Sequence, residues 1–249
     1  VHAMLITLEV NTVEGLRFYL VGLPDNAVKE SERRIESALL ESGYRKPGKK
    51  ITINMAPADV RKEGAAYDLP IAVGILASSG QVPSERLDQC LMMGELSLDG
   101  SLRPVRGVLP MALLAKERGF RYLLLPEVNA AEASVVDGIE VLGAAHLVDV
   151  LDWLKGIKDL PKGKGKEPLP EGATQGRPDF AEVRGQEGIK RALEIAAAGS
   201  HNVLLIGPPG SGKTMLARRM PGILPPMSLE ESLETTKIHS VSGAKTVHG

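Results

Sequence analysis

The 249-residue chain has a single cysteine, Cys90. An intrachain disulfide is impossible, and a four-cysteine zinc site is excluded. That suits a reducing cytoplasm, the expected location. Aromatic residues make up only 3%, so a core must be built from Val, Leu, Ile, Ala and Met. An excess of one charge is also missing. The 30 basic residues oppose 31 acidic ones, so the chain does not announce a dedicated nucleic-acid module through strong basicity. A local basic patch stays open. No apolar run approaches the roughly 18 residues that span a bilayer, so no membrane partner is expected. No signal-peptide pattern opens the chain. The first residue is Val1, which reads as the start of a segment of a longer protein.

What is present is ordinary for a globular protein: 43% hydrophobic and 24% charged residues exclude wholesale disorder. Apolar periodicity divides the chain in three. Residues 1–155 alternate strand and helix signals, as a mixed α/β domain does. Strands are expected over 4–10, 16–21, 51–55, 122–125 and 139–142. Helices are expected over 27–42, 69–78, 108–118 and 146–154. Residues 92–105 read as a hairpin whose Asp99-Gly100 suits a type I′ turn. Residues 156–176 (GIKDLPKGKGKEPLPEGATQG) are rich in Gly, Pro and Lys and lack periodicity, so they read as a flexible, solvated linker. Residues 177–249 carry helix signals over 185–199 and 229–238. Between those, 203–206 is an all-apolar run, the pattern of a strand buried on both faces of a parallel sheet.

That run leads into Gly207-Pro208-Pro209-Gly210-Ser211-Gly212-Lys213-Thr214. The segment fits G-x-x-x-x-G-K-[ST] at every position, after an apolar run and before a helix signal. The chemistry requires these types. Glycines let backbone N–H groups approach phosphate without Cβ clashes. The helix start adds favourable potential for an anion. Lys213 supplies a point charge for the β- and γ-phosphates. The Thr214 hydroxyl is the expected Mg²⁺ ligand. ATP and Mg²⁺ are therefore the expected cofactors. Pro-Pro in the variable part looks like the AAA+ class. Phe180 to Gln186 (FAEVRGQ) resembles the stretch that packs near adenine in that class, with Val183 and Gly185 as the candidate contacts.

Three further segments sharpen the resemblance: Val21 to Ser31 (VGLPDNAVKES); Ile51 to Val60 (ITINMAPADV) with Lys62-Glu63-Gly64 and Asp68 to Ala72 (DLPIA); and Ser200 to Leu205 (SHNVLL). With the phosphate loop they resemble the YifB/ComM family of magnesium-chelatase-like AAA+ ATPases, over essentially the whole chain. The resemblance implies a Lon-protease-like domain of the ribosomal S5 domain 2-like fold, followed by part of a P-loop AAA+ domain. It also implies self-association into a ring, a hexamer in ComM members, and ATP-driven branch migration on DNA. The Lon likeness raises the question of a Ser–Lys dyad. The stretch matching the Lon nucleophile, Lys62 to Asp68 (KEGAAYD), puts Ala66 at the serine. The stretch matching the Lon lysine, Arg106 to Leu109, puts Leu109 there. Neither side chain is a nucleophile or a base, so the domain reads as a binding or assembly module.

An AAA+ module needs about 200 residues, and the residues from 177 onward are far fewer. No apolar run ending in Asp-Glu follows Thr214. Glu230, Glu231 and Glu234 lie in a polar helical stretch, and Arg218 and Arg219 are too close to the loop to act in trans. The chain therefore reads as truncated within the ATPase core and by itself weak or inactive in hydrolysis. Two other readings stay open: a metal-chelatase ATPase subunit acting on tetrapyrroles, and a scaffold that nucleotide merely locks into a ring.

Overall fold

In the computed structural model, residues 3–164, 178–225, 227 and 229–242 are described. The chain divides into two compact units, one drawn from Val1–Lys166 and Glu234–Gly249, the other from Glu167–Leu233. Among the described residues, no helix is long and apolar enough to cross a membrane.

The first unit is mixed α/β. Strand β1 (Thr7–Val13) and β2 (Phe18–Val21) are followed by α1 (Asn26–Lys29), α2 (Ser31–Glu41) and β3 (Lys50–Ala56). The sheet order is β1-β3-β2, antiparallel between β1 and β3 and parallel between β2 and β3. Alternation along β3 turns Ile51, Ile53 and Met55 inward, each fully buried. Helix α3 (Asp68–Ser78) is apolar nearly all round and packs in the same core as Ile35, Ala38 and Leu39 of α2. The helix expected over 27–42 is broken at Glu30. Asp25 caps the first turn at the Val28 N–H and also accepts from the Gly64 N–H. That ties the short α1 to the 62–64 segment.

The chain continues through β4 (Cys90–Met92), β5 (Glu95–Leu96), β6 (Leu102–Arg103), α4 (Val108–Glu117), β7 (Tyr122–Pro126), α5 (Glu127–Ala133), β8 (Glu140–Ala144) and α6 (Leu147–Leu154). β4, β7 and β8 form a parallel sheet in that order. β5 and β6 make the expected hairpin, but its turn differs from expectation. Gly100 has φ +86° and Asp99 does not enter the left-handed region. The Gly100 N–H reaches the Ser97 carbonyl, and the Ser97 N–H reaches the Ser101 carbonyl. The longer loop needs one left-handed residue instead of the two of a type I′ turn. Helix α5 was not expected. Its buried positions are mostly alanines, which carry little periodic signal. Within it Asn129 is buried and grips both the N–H and the carbonyl of Val105, each at 2.9 Å.

The start of the expected linker is not free. The Gly143 N–H donates to the Pro161 carbonyl and the Gly163 N–H to the Val141 carbonyl, both at 2.9 Å. Residues 161–163 thus lie antiparallel along the open edge of β8, and Leu160 is buried in the core. Lys162 pairs with Glu140, and Lys158 with Asp149. An open sheet edge offers N–H and C=O groups to any neighbouring chain, and this segment takes them despite its composition. Of the rest of the expected linker, 165–176 lie outside the described residues.

The second unit contains α7 (Glu187–Ala198) and α8 (Lys213–Ala217), and α9 (Leu229–Ser242) begins within it. Phe180, Val183, Leu193 and Leu216 form its small core, with Leu205, Met220 and Ile223 packed against it. The strand expected over 203–206 does not form. Leu204 and Ile206 are 82% and 87% exposed, and no β-strand lies among the described residues of this unit. A central strand exists only through hydrogen bonds to neighbours, and none lies among the described residues of this unit to pair with it.

Candidate functional site

The phosphate-loop motif is drawn into a tight turn. Gly210 and Gly212 hold left-handed backbone at φ +80° and +83°, where a Cβ would be strained. A Cβ on Gly207 would sit 3.0 Å from the Ser211 hydroxyl. Lys213, the first residue of α8, folds back over the loop. Its ammonium donates to the carbonyls of Gly207 (2.8 Å) and Pro208 (2.7 Å) and lies 3.3 Å from the Ser211 hydroxyl. Thr214 is exposed beside it. The motif thus places one cation at the centre of a glycine-permitted ring of backbone. Such a cation exchanges its carbonyl partners for anionic oxygens with a gain in hydrogen-bond strength.

The two expected base-side residues, Val183 and Gly185, lie just before α7. Val183 is 3% exposed and shares the small core with Leu216 of α8. Gly185 has φ +65° and Gln186 φ +60°, and the two turn the chain into α7. The Gln186 amide nitrogen lies 3.7 Å from where a Gly212 Cβ would be. The structure therefore brings Gln186 beside Gly212 of the loop, and Val183 against Leu216 of α8. Pro209 forms part of the loop.

Sequence reasoning set Arg219 aside, yet the structure gives it a place beside this site. Its guanidinium joins the end of α8 to the 3₁₀ turn Phe180–Glu182. An arginine five residues beyond a motif carries no signal of Asp179 and Glu182, which lie 40 and 37 positions away.

The first unit places Ala66 in a 3₁₀ turn, where its carbonyl accepts from Gly94 at 2.8 Å. Leu109 is 1% exposed in α4. The hydroxyls of Ser78 and Ser79 bond back to carbonyls of α3. Next to Ala66 lies an ion pair that the sequence did not reveal. Asp68 is fully buried and takes both Nε and Nη2 of Arg34, at 2.7 and 3.0 Å. Burial pushes the Asp68 carboxyl above its ordinary value, and Arg34 opposes that shift. Lys62 is also fully buried, its ammonium donating to the Pro57 carbonyl. Burial pushes the Cys90 thiol up to about 12, which keeps it in the unreactive thiol form.

Comparison with known proteins finds two family matches along the chain. The family described as "Subunit ChlI of Mg-chelatase" matches residues 8–129, and "Magnesium chelatase, subunit ChlI" matches residues 179–249. Competence protein ComM of Haemophilus influenzae is 45% identical over 244 residues, covering 97% of this chain and 48% of that protein. The uncharacterised protein YifB of Escherichia coli is 46% identical over 248 residues, covering 99% and 48%. Lon protease 2 of Bacillus subtilis is 29% identical over 125 residues, covering 50% of this chain and 22% of that protein. The chain spans about half the length of the ComM and YifB proteins it matches. With the phosphate-loop unit behind a Lon-like α/β unit, and near 45% identity along almost its whole length, the chain belongs to the magnesium-chelatase-like family that contains YifB and ComM.

Proposed function

We propose that this chain binds ATP with Mg²⁺ at its phosphate loop, and that the full-length protein is a cytoplasmic P-loop ATPase that drives remodelling of DNA as a ring, most simply a hexamer. The observation that carries the nucleotide part is the Lys213 ammonium centred on the carbonyls of Gly207 and Pro208. In this reading the backbone of Gly207, Pro208, Pro209, Gly210, Ser211 and Gly212 cradles the phosphates. Lys213 holds the β- and γ-phosphates, and the Thr214 hydroxyl takes the metal. Val183 and Gly185 border the base. Bound MgATP supplies the phosphoanhydride whose hydrolysis drives the work. The DNA part rests on the family resemblance and on the competence named for the H. influenzae relative.

The first unit serves binding or assembly in this reading. Ala66 offers no nucleophile and Leu109 no base where Lon carries its dyad. Unfolded casein incubated with the protein and MgATP should stay intact, and specific cleavage would overturn this. The family description favours one rival, a chelatase subunit acting on tetrapyrroles, and porphyrin binding would reveal it. The direct test of the main reading is branch migration on a four-way DNA junction by the full-length protein. Strand exchange should require ATP and vanish in Lys213→Ala. ATP hydrolysis that no DNA stimulates, without strand exchange, would sink the motor reading.

A further inference from the structure

Arg219 lies two residues beyond α8 and joins three acceptors. Its Nη1 donates to the Met215 carbonyl at 3.1 Å, its Nε to the Asp179 carbonyl at 2.9 Å, and its Nη2 to the Glu182 carboxylate. The Arg219 side chain is 15% exposed and that of its partner Glu182 is 56% exposed. One acceptor belongs to the helix that begins at the phosphate loop. The other two flank the 3₁₀ turn that runs into Val183 and Gly185.

The physical requirement is specific. The Met215 carbonyl lies in the last turn of α8, where carbonyls lack intrahelical partners and a cation is favoured. Asp179 and Glu182 lie on a separate stretch of chain. A guanidinium presents donors in a fixed fork and addresses acceptors on two elements at once. An ammonium is a single point and cannot span the same set. None of the three acceptors belongs to the 207–214 loop, where the Lys213 ammonium addresses the Gly207 and Pro208 carbonyls instead.

We infer that Arg219 is a positioning residue: it clamps the base-side turn at 180–185 to the phosphate-loop helix, and so contributes affinity for the base part of a nucleotide and not for its phosphates. The inference rests on the nucleotide reading above. Its test is calorimetric titration of the full-length protein with two ligands, ATP and inorganic tripolyphosphate. Arg219→Ala should weaken ATP about tenfold and leave tripolyphosphate unchanged. Arg219→Lys should recover part of the loss. Glu182→Gln keeps the side-chain shape and two of the three contacts, so it should weaken ATP to a smaller degree; if Arg219→Ala does not fold, this variant decides by the same ratio. Equal loss of both ligands would mean that Arg219 supports the loop as a whole, and would overturn the inference. Unchanged ATP affinity would overturn it too. Wild-type protein that binds neither ligand would instead overturn the nucleotide reading, and this inference with it.

Discussion

Asp68 and Asp25 are two carboxylates of one unit whose environments push them in opposite directions. Asp68 is fully buried, and burial raises it above the ordinary value of 3.8 despite Arg34. A carboxyl whose folded value is raised costs stability as pH climbs through that value. Removing Arg34 strands the charge. Arg34→Met should cost about 3 kcal/mol at pH 7 and distinctly less at pH 4, because the raised carboxyl takes up a proton more readily as pH falls. Urea unfolding at the two pH values checks this, and equal losses would contradict it. At Asp25 burial also acts upward, but the N–H groups of Val28 and Gly64 and the Arg61 charge outweigh it and hold the carboxyl low. The sign is reversed here: the stabilisation is present above the ordinary value and lost as pH falls through the lowered one. Asp25→Ala should cost about 1 kcal/mol at neutral pH. The difference from wild type should shrink in acid.

At the scale of elements, long periodic segments were legible and short ones were not. Helix α3 and the inward residues of β3 follow from apolar content and alternation alone. The sheet-edge segment at 161–163 does not, because Gly-Pro-Lys composition describes what a chain prefers in water, and an open strand edge overrides that preference. One glycine allows the fit. A Cβ on Gly163 would sit 2.1 Å from the Ser134 hydroxyl and 2.6 Å from the Ala130 carbonyl. Gly163→Val should therefore lift the segment off β8. Hydrogen exchange at the Gly143 amide should rise sharply while α3 stays protected. Unchanged exchange at Gly143 would show that the edge holds by other means. The 203–206 run makes the complementary point. Its sequence is that of a buried strand, and Leu204 and Ile206 lie exposed because strand structure belongs to a pair, not to a segment.

For the molecule as a whole, ligand linkage is the measure of the site. Anything that binds only the folded state stabilises it, by about 2.7 kcal/mol at a hundredfold excess over Kd. MgATP should raise the melting temperature of the full-length protein accordingly. Lys213→Ala should abolish the rise without lowering the melting temperature of the ligand-free protein, since among the described residues the hydrogen bonds of the lysine ammonium stay within its own loop. A shift that persists in the variant would refute the role given to Lys213. Oligomer size measured with and without ATP then separates a motor ring from a scaffold. A ring that closes on nucleotide but never hydrolyses it favours the scaffold.

The sequence alone determined the phosphate-loop motif and the mixed α/β character of the first unit. These are local: each depends on residue type at fixed spacing, and no distant partner enters. Tertiary structure alone decided the Arg34–Asp68 pair, the grip of Asn129 on Val105, the edge segment beside β8 and the Arg219 clamp. Each joins residues from separate parts of the chain, and one amino-acid sequence carries no spacing rule for partners that only folding brings together. The single cysteine shows both halves. Its solitude excluded a disulfide within these 249 residues from the outset, but only burial against its neighbours pushes its thiol to about 12.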